Sequence, residues 1–317
     1  MILTNIKKQN TLSRFKINDI IRLSCVALRV KDIDKTLVFY EKKLGLQTKK
    51  RDQDDDGNMV CELGFRETVQ NEEPFLQLHH DANAKTPSSH SAGLFHFAML
   101  VPNRKSLALT YLAVKNSGLQ YDGFADHLVS ESLYLRDPEN NGIEIYGDRA
   151  RQDWPRDSEG RILMDTLPLD LQSLVSEMGE TKSKNAIPFP NGARIGHVHL
   201  KVTNIMRSMK YYHDKLALDI TVNWSSMGAA FLSAAGYHHH IGMNTWHSLN
   251  GQSQKSNVAG LKNFTIVITD ESFFNKIRST NENDYFSSAQ QQQKENAYGD
   301  QFTVSDPDGI QIVIKSD

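Results

Sequence analysis

The sequence predicts an α+β protein made of four similar units, each a strand followed by a helix and further strands. Two pairs of similar segments support this prediction, one pair separated by 172 positions and the other by 167. Such internal similarity indicates one supersecondary unit that is used repeatedly, with about 50–60 residues in each copy. At 317 residues the chain can bury two hydrophobic cores, so we expect the units to associate in pairs.

The first pair of segments predicts a strand and a helix. Its matched residues are Ile33 with Ile205, Tyr40 with Tyr212, and Leu44 with Leu216. An alternating run precedes each segment, at residues 26–30 and 198–202, and a period of two predicts a strand with one buried face. Because the apolar residues that follow have helical spacing, we expect helices that end near Gly45 and Ala217.

The second pair of segments predicts strands on either side of a turn. Residues 93–101 resemble residues 260–268, with Gly, Leu and Phe shared at the offset of 167. An Asp-Pro turn follows each of them, at 137–138 and 306–307, and leads into a short apolar run that we interpret as a strand.

These repeats divide the chain into two parts and a connection. Units one and two occupy residues 20–148, and units three and four occupy residues 192–317. Residues 149–191 are polar and contain two proline-bearing segments, so we interpret them as a linker with one helix near Leu169–Met178.

Charge and composition exclude several classes of protein. The net charge of −2 gives no basic surface for nucleic acid. Cys25 and Cys61 lack paired spacing, so the sequence predicts neither a disulfide framework nor a zinc–thiolate site. No apolar run approaches the length of a membrane span, and the first residues lack the apolar core of a signal peptide. We therefore expect a soluble, cytoplasmic protein with no nucleic-acid or membrane partner.

All twelve histidines lie between His79 and His247, in the middle of the chain. Histidine is the commonest metal ligand and a frequent proton carrier near neutral pH, so we expect the chemistry of the protein in this region. His79 and His80 lie in unit one without a matching carboxylate, and we expect them in a solvated loop.

The repeats and four motifs resemble the vicinal oxygen chelate superfamily, which comprises glyoxalases, bleomycin-resistance proteins and extradiol dioxygenases. The motifs are GLFHFAMLVP, DHLVSESLYLRDPENNGIEIYGDR, IGHVHLKV and GYHHHIGMNTW. Within the superfamily the chain resembles the four-module, catechol 2,3-dioxygenase-like branch. This resemblance implies βαβββ modules that pair to form two curled-sheet, barrel-like domains around metal clefts.

The resemblance implies one metal site with His96, His197 and Glu144 as ligands. Two imidazoles and one carboxylate on one side of the metal are typical of non-haem Fe(II) oxygenases. In strands, His96 and Glu144 point away from their apolar neighbours, and Glu144 stands six residues after Pro138, where the superfamily carries its carboxylate ligand. His199 shares a strand face with His197 and could replace it as the ligand.

The corresponding positions of the outer units hold no such ligands. Unit one has Cys25 in place of His197. Unit four has Asn263 in place of His96 and Val313 in place of Glu144. We therefore expect the two central units to pair around the site. Better-known extradiol enzymes take their ligands from units three and four, so the roles of the units here would be permuted.

The resemblance also implies three catalytic residues. His239 corresponds to the base that deprotonates the substrate, with His240 behind it. Simple strand alternation would instead leave His238 and His240 facing the cleft, unless a bulge intervenes. Tyr134, four residues before Pro138, corresponds to the active-site tyrosine. His127 corresponds to a supporting histidine, but it precedes Tyr134 by seven residues where the family has nine.

Together these features predict an Fe(II)-dependent extradiol dioxygenase of aromatic hydrocarbon catabolism, which cleaves catechol or a substituted catechol and inserts both atoms of O₂. Mn(II) favours the same ligands and stays open as the metal. The alternatives are a glyoxalase-type isomerase or lyase and a non-enzymatic protein that binds aromatic drugs. The partners predicted are a catecholic small molecule and O₂, and the sequence leaves open whether the protein forms a homo-oligomer.

Overall fold

A computed structural model describes the chain over residues 20–65, 74–179, 189–190, 192–282 and 300–317. Residues 1–19, where we expected no signal peptide, lie outside the described residues, as does the end of the expected linker at residues 180–188 and 191.

Units one and two have the expected order of elements. Unit one contains β1 (Ile21–Val30), α1 (Ile33–Val38) with a π-helical turn (Phe39–Lys43), β2 (Gln47–Gln53), β3 (Met59–Gly64) and β4 (Leu76–His80). Unit two contains β5 (Gly93–Val101), α2 (Arg104–Asn116), β6 (Gly123–Asp126), β7 (Ser130–Arg136) and β8 (Gly142–Asp148). Helix α3 (Leu171–Ser176) follows, within the segment expected to be the linker.

Units three and four repeat this order, so the predicted α+β fold class is confirmed. Unit three contains β9 (Arg194–Lys201), α4 (Ile205–Leu216), β10 (Asp219–Trp224), β11 (Ala229–Ser233) and β12 (Ile241–Asn244). The described part of unit four contains β13 (Gly260–Ile268), α5 (Glu271–Thr280), β14 (Gln301–Ser305) and β15 (Gln311–Ser316).

The strands form two sheets, and each sheet combines units from both halves of the chain. One sheet has the order β14-β15-β13-β1-β4-β3-β2 and joins units one and four. The other has the order β10-β11-β12-β9-β5-β8-β7-β6 and joins units two and three. The expected pairing of the two central units is therefore confirmed, and β5 runs antiparallel to β9 at their junction.

Local sequence explains where the helices begin and end. Each helix of a unit follows an Asp or Asn whose side chain accepts a hydrogen bond from the backbone N–H three residues on. These capping residues are Asp32, Asn103, Asn204 and Asp270. At the C-terminal ends, Gly45 and Ala217 adopt positive φ angles of 80° and 52°, and the predicted helix ends are confirmed.

The residues that match between the repeats also hold the units together. The Tyr40 hydroxyl donates a hydrogen bond of 2.9 Å to Asp137, and the Tyr212 hydroxyl donates one of 3.1 Å to Asp306. All four side chains are buried. Each aspartate belongs to the Asp-Pro turn of the following unit, so unit one is tied to unit two and unit three to unit four.

His79 and His80 do not lie in a solvated loop, and that expectation was wrong. They end strand β4, where the alternation of Leu76 and Leu78 continues to the histidines. Nδ1 of the half-buried His79 lies 2.9 Å from Nζ of Lys262 on β13. No helix in the described ranges combines the length and the apolar character that a membrane crossing needs.

Candidate metal centre

A cavity of about 370 Å³ lies against the sheet of units two and three, and we refer to it as the cleft. All six side chains singled out from the sequence line it: His96, His127, Tyr134, Glu144, His197 and His239. Aromatic side chains make up much of the remaining wall, among them Phe95, Trp224, Phe231 and Trp246. The structure therefore brings together residues that are up to 143 positions apart in the sequence.

The three expected ligands converge on one point of the cleft. Nε2 of His96 lies 2.9 Å from Oε2 of Glu144, and Nε2 of His197 lies 3.0 Å from the same oxygen. The ligand atoms of the three residues all lie within 4.8 Å of one another, and all three residues are buried. Ser132 donates a hydrogen bond of 2.6 Å to Oε1 of Glu144 and so orients the carboxylate.

Strand order explains this convergence. Strand β5 lies between β8 and β9, and its Ala98 pairs with Glu144 on one side and His197 on the other. Gly142 lets β8 approach closely, because a Cβ atom there would lie 2.2 Å from the carbonyl oxygen of Phe95. Because Ala98 is small and Gly142 has no side chain, this face of the sheet has room for the side chains of the three ligands.

His199 occupies the same face as His197 but lies outside the cluster. Its Nε2 is 3.0 Å from Nδ2 of Asn244, which donates to it, and its ring packs 4.9 Å from that of His96. His199 therefore lines the cleft beside the three convergent residues, and His197 is the histidine of this strand that approaches Glu144.

Burial and charge set the protonation of the cluster. Burial lowers the pKa of His197 to about 4, an effect that the charge of Glu144 opposes in part. Burial alone would raise the pKa of Glu144, but its neighbours His197 and His96 outweigh burial and hold that pKa well below its usual value. Neutral imidazoles and an ionised carboxylate are the forms that bind a metal ion.

The cluster fits a divalent metal ion. Among the described residues, Nε2 of His96 and Nδ1 of His197 are buried without a hydrogen-bond partner, because the 2.9 Å contact of His96 with Glu144 lacks the angles of a hydrogen bond. Buried nitrogens are normally paired. Neighbouring ligands on a metal with bonds of about 2.1 Å lie about 3 Å apart, which is the separation between each Nε2 and the Glu144 oxygen. A metal ion would satisfy the orphaned nitrogen of His96.

The three consecutive histidines differ from the expected arrangement. His239 lines the cleft, with its ring 4.1 Å from that of His197. The residue behind it is His238, whose Nδ1 lies 2.7 Å from Nδ1 of His239, whereas His240 bonds to Ser233. The expectation that His240 lies behind His239 was wrong, because His238 takes that place and the side chain of His240 turns to Ser233. These residues precede β12, which begins at Ile241, so strand alternation does not decide which of them faces the cleft.

Tyr134, which pairs with Glu144 across β7 and β8, forms a hydrogen bond with His127. The Tyr134 hydroxyl lies 2.7 Å from Nε2 of His127, and Nδ1 of His127 lies 2.8 Å from the carbonyl oxygen of Asp165. Since that carbonyl can only accept, Nδ1 carries the proton and Nε2 accepts from the tyrosine. Burial and the charge of Glu144 raise the pKa of Tyr134 well above its usual value, so its hydroxyl stays protonated.

Two features of the site were missed from the sequence. Asp148 lies on the same strand face as Glu144, four residues on, and its Oδ1 is 2.9 Å from Nε2 of His238. The period-two pattern of β8 could have indicated it. The aromatic wall of Trp224, Phe231 and Trp246 comes from β10, β11 and the segment after β12, and no local pattern marks those residues as neighbours.

Comparison with known proteins identifies the family of the chain. A family model described as the Glyoxalase/Bleomycin resistance protein/Dioxygenase superfamily matches residues 22–145. The chain is 37% identical over 242 residues to a catechol-2,3-dioxygenase of Bacillus subtilis (strain 168), and the match spans 76% of this chain and 80% of that protein.

Two solved structures share the fold. A putative dioxygenase from Bacillus subtilis subsp. subtilis str. 168 aligns over 93% of this chain and 84% of its own, with a TM-score of 0.59 and 11% identity. Glyoxalase I from Zea mays aligns over 93% of this chain and 92% of its own, with a TM-score of 0.53 and 15% identity.

Proposed function

Because the chain belongs to the Glyoxalase/Bleomycin resistance protein/Dioxygenase superfamily, we propose that it is an Fe(II)-dependent extradiol dioxygenase that cleaves catechol or a substituted catechol. The observation that carries this proposal is the convergence of His96, His197 and Glu144 at the wall of an aromatic cleft. The name of the Bacillus subtilis relative supports the choice of a catechol as substrate.

The ligand set favours an oxygenase within the superfamily. Two histidines and one carboxylate would hold a metal ion and leave it able to bind substrate and O₂, and this ligand set is typical of non-haem Fe(II) oxygenases. Bound Fe(II) would supply adjacent sites for the two catechol oxygens and for O₂, and a route for electrons between them. His96, His197 and Glu144 would hold it, and Mn(II) would suit the same three ligands.

His239 is the proposed base. Its ring stands beside that of His197, so it lies within reach of a substrate hydroxyl placed next to the metal ligands. Burial, together with the charges of His197 and His238, lowers the pKa of His239 well below its usual value, and its imidazole is neutral at pH 7. A neutral imidazole in the cleft can accept the proton that a catechol loses on binding.

Tyr134 and His127 are further proposed partners of the substrate. The tyrosine gives its proton to Nε2 of His127, so its oxygen is free to accept a hydrogen bond from a catechol hydroxyl. The pair can therefore hold a catechol hydroxyl in place.

The walls of the cleft suit a planar ring. Phe95 and Trp246 stack edge to face with centroids 5.4 Å apart, and Trp224 and Phe231 do so at 5.6 Å. These side chains offer apolar faces to an aromatic substrate and restrict water near the ligands.

The glyoxalase-type alternative requires a different ligand set. Glyoxalase-like members of the superfamily usually complete four protein ligands with a second carboxylate or a glutamine. Over the part of the chain that the structure describes, the metal-binding cluster contains one carboxylate, that of Glu144, and two histidines. The ligand count thus favours the dioxygenase, and the presence of a complete set argues against a metal-free drug-binding protein.

The proposal is tested by loading the purified protein with Fe(II) under anaerobic conditions and adding catechol and then O₂. We expect a yellow ring-fission product and uptake of one O₂ for each catechol consumed. Glu144→Ala and His96→Ala should abolish the product, whereas His80→Ala, which removes a histidine from the other sheet, should leave the rate unchanged. A protein that binds no Fe(II) and leaves catechol and its substituted forms intact would contradict the proposal.

A further inference from the structure

A line of three hydrogen-bonded side chains leads away from the cleft behind His239. Nδ1 of His239 lies 2.7 Å from Nδ1 of His238, and Nε2 of His238 lies 2.9 Å from Oδ1 of Asp148. His238 is fully buried between the other two, and the rings of Tyr237 and Trp154 pack against it. None of the roles assigned above accounts for Asp148 or His238.

The far end of this line opens on a second cavity. Asp148 lines a cavity of about 460 Å³, and its side chain is 23% exposed. The basic residues of this cavity are Arg104, Arg149, Arg151 and Arg194. The line therefore spans the wall between the cleft and a separate, arginine-lined opening on the surface.

The directions of the hydrogen bonds follow from the chemistry of the groups. A carboxylate can only accept, so Nε2 of His238 donates to Asp148. The other oxygen, Oδ2, accepts from the Tyr237 hydroxyl at 3.0 Å, and the Tyr146 hydroxyl in turn lies 2.8 Å from that of Tyr237. Both oxygens of Asp148 thus have donors, and the carboxylate is held in place.

This arrangement determines where the proton of His239 lies. A neutral His238 with its proton on Nε2 offers Nδ1 as an acceptor, so His239 must donate from its own Nδ1. Nε2 of His239 is then unprotonated, because the single proton of the neutral ring lies on Nδ1. With Nδ1 turned toward His238, Nε2 is the nitrogen left for the cleft.

We propose that Asp148 and His238 are positioning residues that hold His239 in the tautomer with an unprotonated Nε2 at the cleft. This inference rests on the proposed function, because in that function Nε2 of His239 accepts the proton that a bound catechol loses. Without Asp148, His238 could carry its proton on either nitrogen. A proton on its Nδ1 would force the opposite tautomer on His239, with Nε2 protonated and unable to act as a base.

The tautomers can be measured directly by NMR. Long-range ¹H–¹⁵N correlations of the full-length protein, both without metal and loaded with diamagnetic Zn(II), distinguish the two neutral forms of each histidine. We expect His239 to carry its proton on Nδ1 and His238 to carry its proton on Nε2. The signals that disappear in His239→Ala are assigned to His239, and those that disappear in His238→Ala are assigned to His238.

Asp148→Ala provides the decisive variant. Because Asp148 reaches solvent at the arginine-lined cavity, its removal leaves no sealed void, and circular dichroism and Zn(II) content check that the fold and the metal site persist. We expect a mixture of His239 tautomers in this variant. In the Fe(II)-loaded enzyme kcat should fall about 10- to 100-fold while KM changes less than about threefold, as is typical when the support of an active-site histidine is removed.

Tyr237→Phe is the matched control, since it removes the other hydrogen bond to Asp148 and leaves the line to His239 intact. It should keep the wild-type tautomer and a kcat within about threefold of wild type. The inference is wrong if wild-type His239 carries its proton on Nε2, or if Asp148→Ala leaves the tautomer unchanged. If the tautomers are as expected but wild-type protein cleaves no catechol, the proposed function fails and the structural assignment of the line stands.

Discussion

Oε2 of Glu144 lies 3.0 Å from Nε2 of His197, although the two residues belong to different units and 53 positions separate them. The contact crosses β5, whose Ala98 pairs with both residues. His96 approaches the same oxygen from β5 itself. The candidate metal centre thus depends on the pairing of units two and three. A change in any of the three strands β5, β8 and β9 should alter the affinity for the metal.

Glu144→Gln should weaken metal binding strongly while it preserves the size of the side chain. The substitution removes the single negative charge of the ligand set, and we expect affinity for Fe(II) or Mn(II) to fall at least about 100-fold. Ser132→Ala removes only the hydrogen bond that orients the carboxylate, so we expect a smaller loss of about 10-fold. Anaerobic titration calorimetry measures the metal affinity of both variants.

Glu159→Gln, at an exposed position outside the cleft, serves as the control for loss of one charge. Wild-type affinity in Glu144→Gln would show that Glu144 is not a ligand.

Gly196→Ala should destabilise the protein, because a Cβ atom there would lie 1.8 Å from the hydroxyl oxygen of Tyr146. Relief of this overlap requires movement of a fully buried tyrosine next to His197, and overpacking of this kind costs about 1–3 kcal/mol. Gly147→Ala is the matched control on β8, since its Cβ would make only ordinary contacts at 3.7 Å.

Urea unfolding of the metal-free proteins measures the free energy of unfolding of both variants. If the two variants were equally stable, the close packing of Gly196 against Tyr146 would not contribute to the free energy of unfolding.

The fold could be predicted from local patterns, because the repeats rest on short-range periodicity, whereas the three ligands were implied by the resemblance of their motifs to the vicinal oxygen chelate superfamily. Tyr40 and Tyr212, like the two Asp-Pro turns, mark the same element in different units. Cys25 and Asn263 stand where the central units carry histidines, and this difference indicates which units pair. These observations need no knowledge of how a side chain is oriented in space.

The surroundings of His239 could not be predicted in the same way. Alternation applies only within a strand, and residues 238–240 precede β12 in an irregular bend. Which histidine supports His239 depends on Asp148, which lies 90 positions from His238. Such a contact leaves no periodic signal in one sequence, because it is set by the packing of two units.

Stability should fall on acidification, in part because of His240. Burial, followed by the charge of Arg194, lowers the pKa of His240 to about 3 in the folded protein. Between the unfolded value of 6.5 and pH 3, the unfolded chain binds a proton at this site and the folded chain does not, so falling pH favours unfolding. From pH 7 to pH 5 this amounts to about 2 kcal/mol.

His240→Asn removes the titrating group, so the variant should lose about 2 kcal/mol less than wild type over the same interval. Urea titrations of the two proteins at pH 7 and pH 5 provide the comparison, with exposed His213→Asn as a control that should follow wild type. An identical pH dependence in wild type and His240→Asn would exclude this contribution.

The mouth of the cleft should select uncharged catechols over carboxylated ones. Among the described residues that line the cleft, Arg136 is the one arginine or lysine, and its Nε already lies 2.8 Å from Asp122. A substrate carboxylate therefore finds no free cation and must enter beside apolar walls, whereas a methyl group can pack against Phe95 or Trp246. We expect kcat/KM for 4-methylcatechol to exceed that for 3,4-dihydroxybenzoate at least about tenfold.

Asp122→Asn should narrow this preference, because it frees Arg136 to pair with the substrate carboxylate. Both side chains are nearly half exposed, and such surface pairs contribute about 1 kcal/mol or less, so the ratio should fall about threefold to fivefold. Asp157→Asn, at an acidic residue outside the cleft, should leave the ratio unchanged. If wild-type enzyme used 3,4-dihydroxybenzoate as well as 4-methylcatechol, neither the apolar walls nor the paired arginine would determine the choice of substrate.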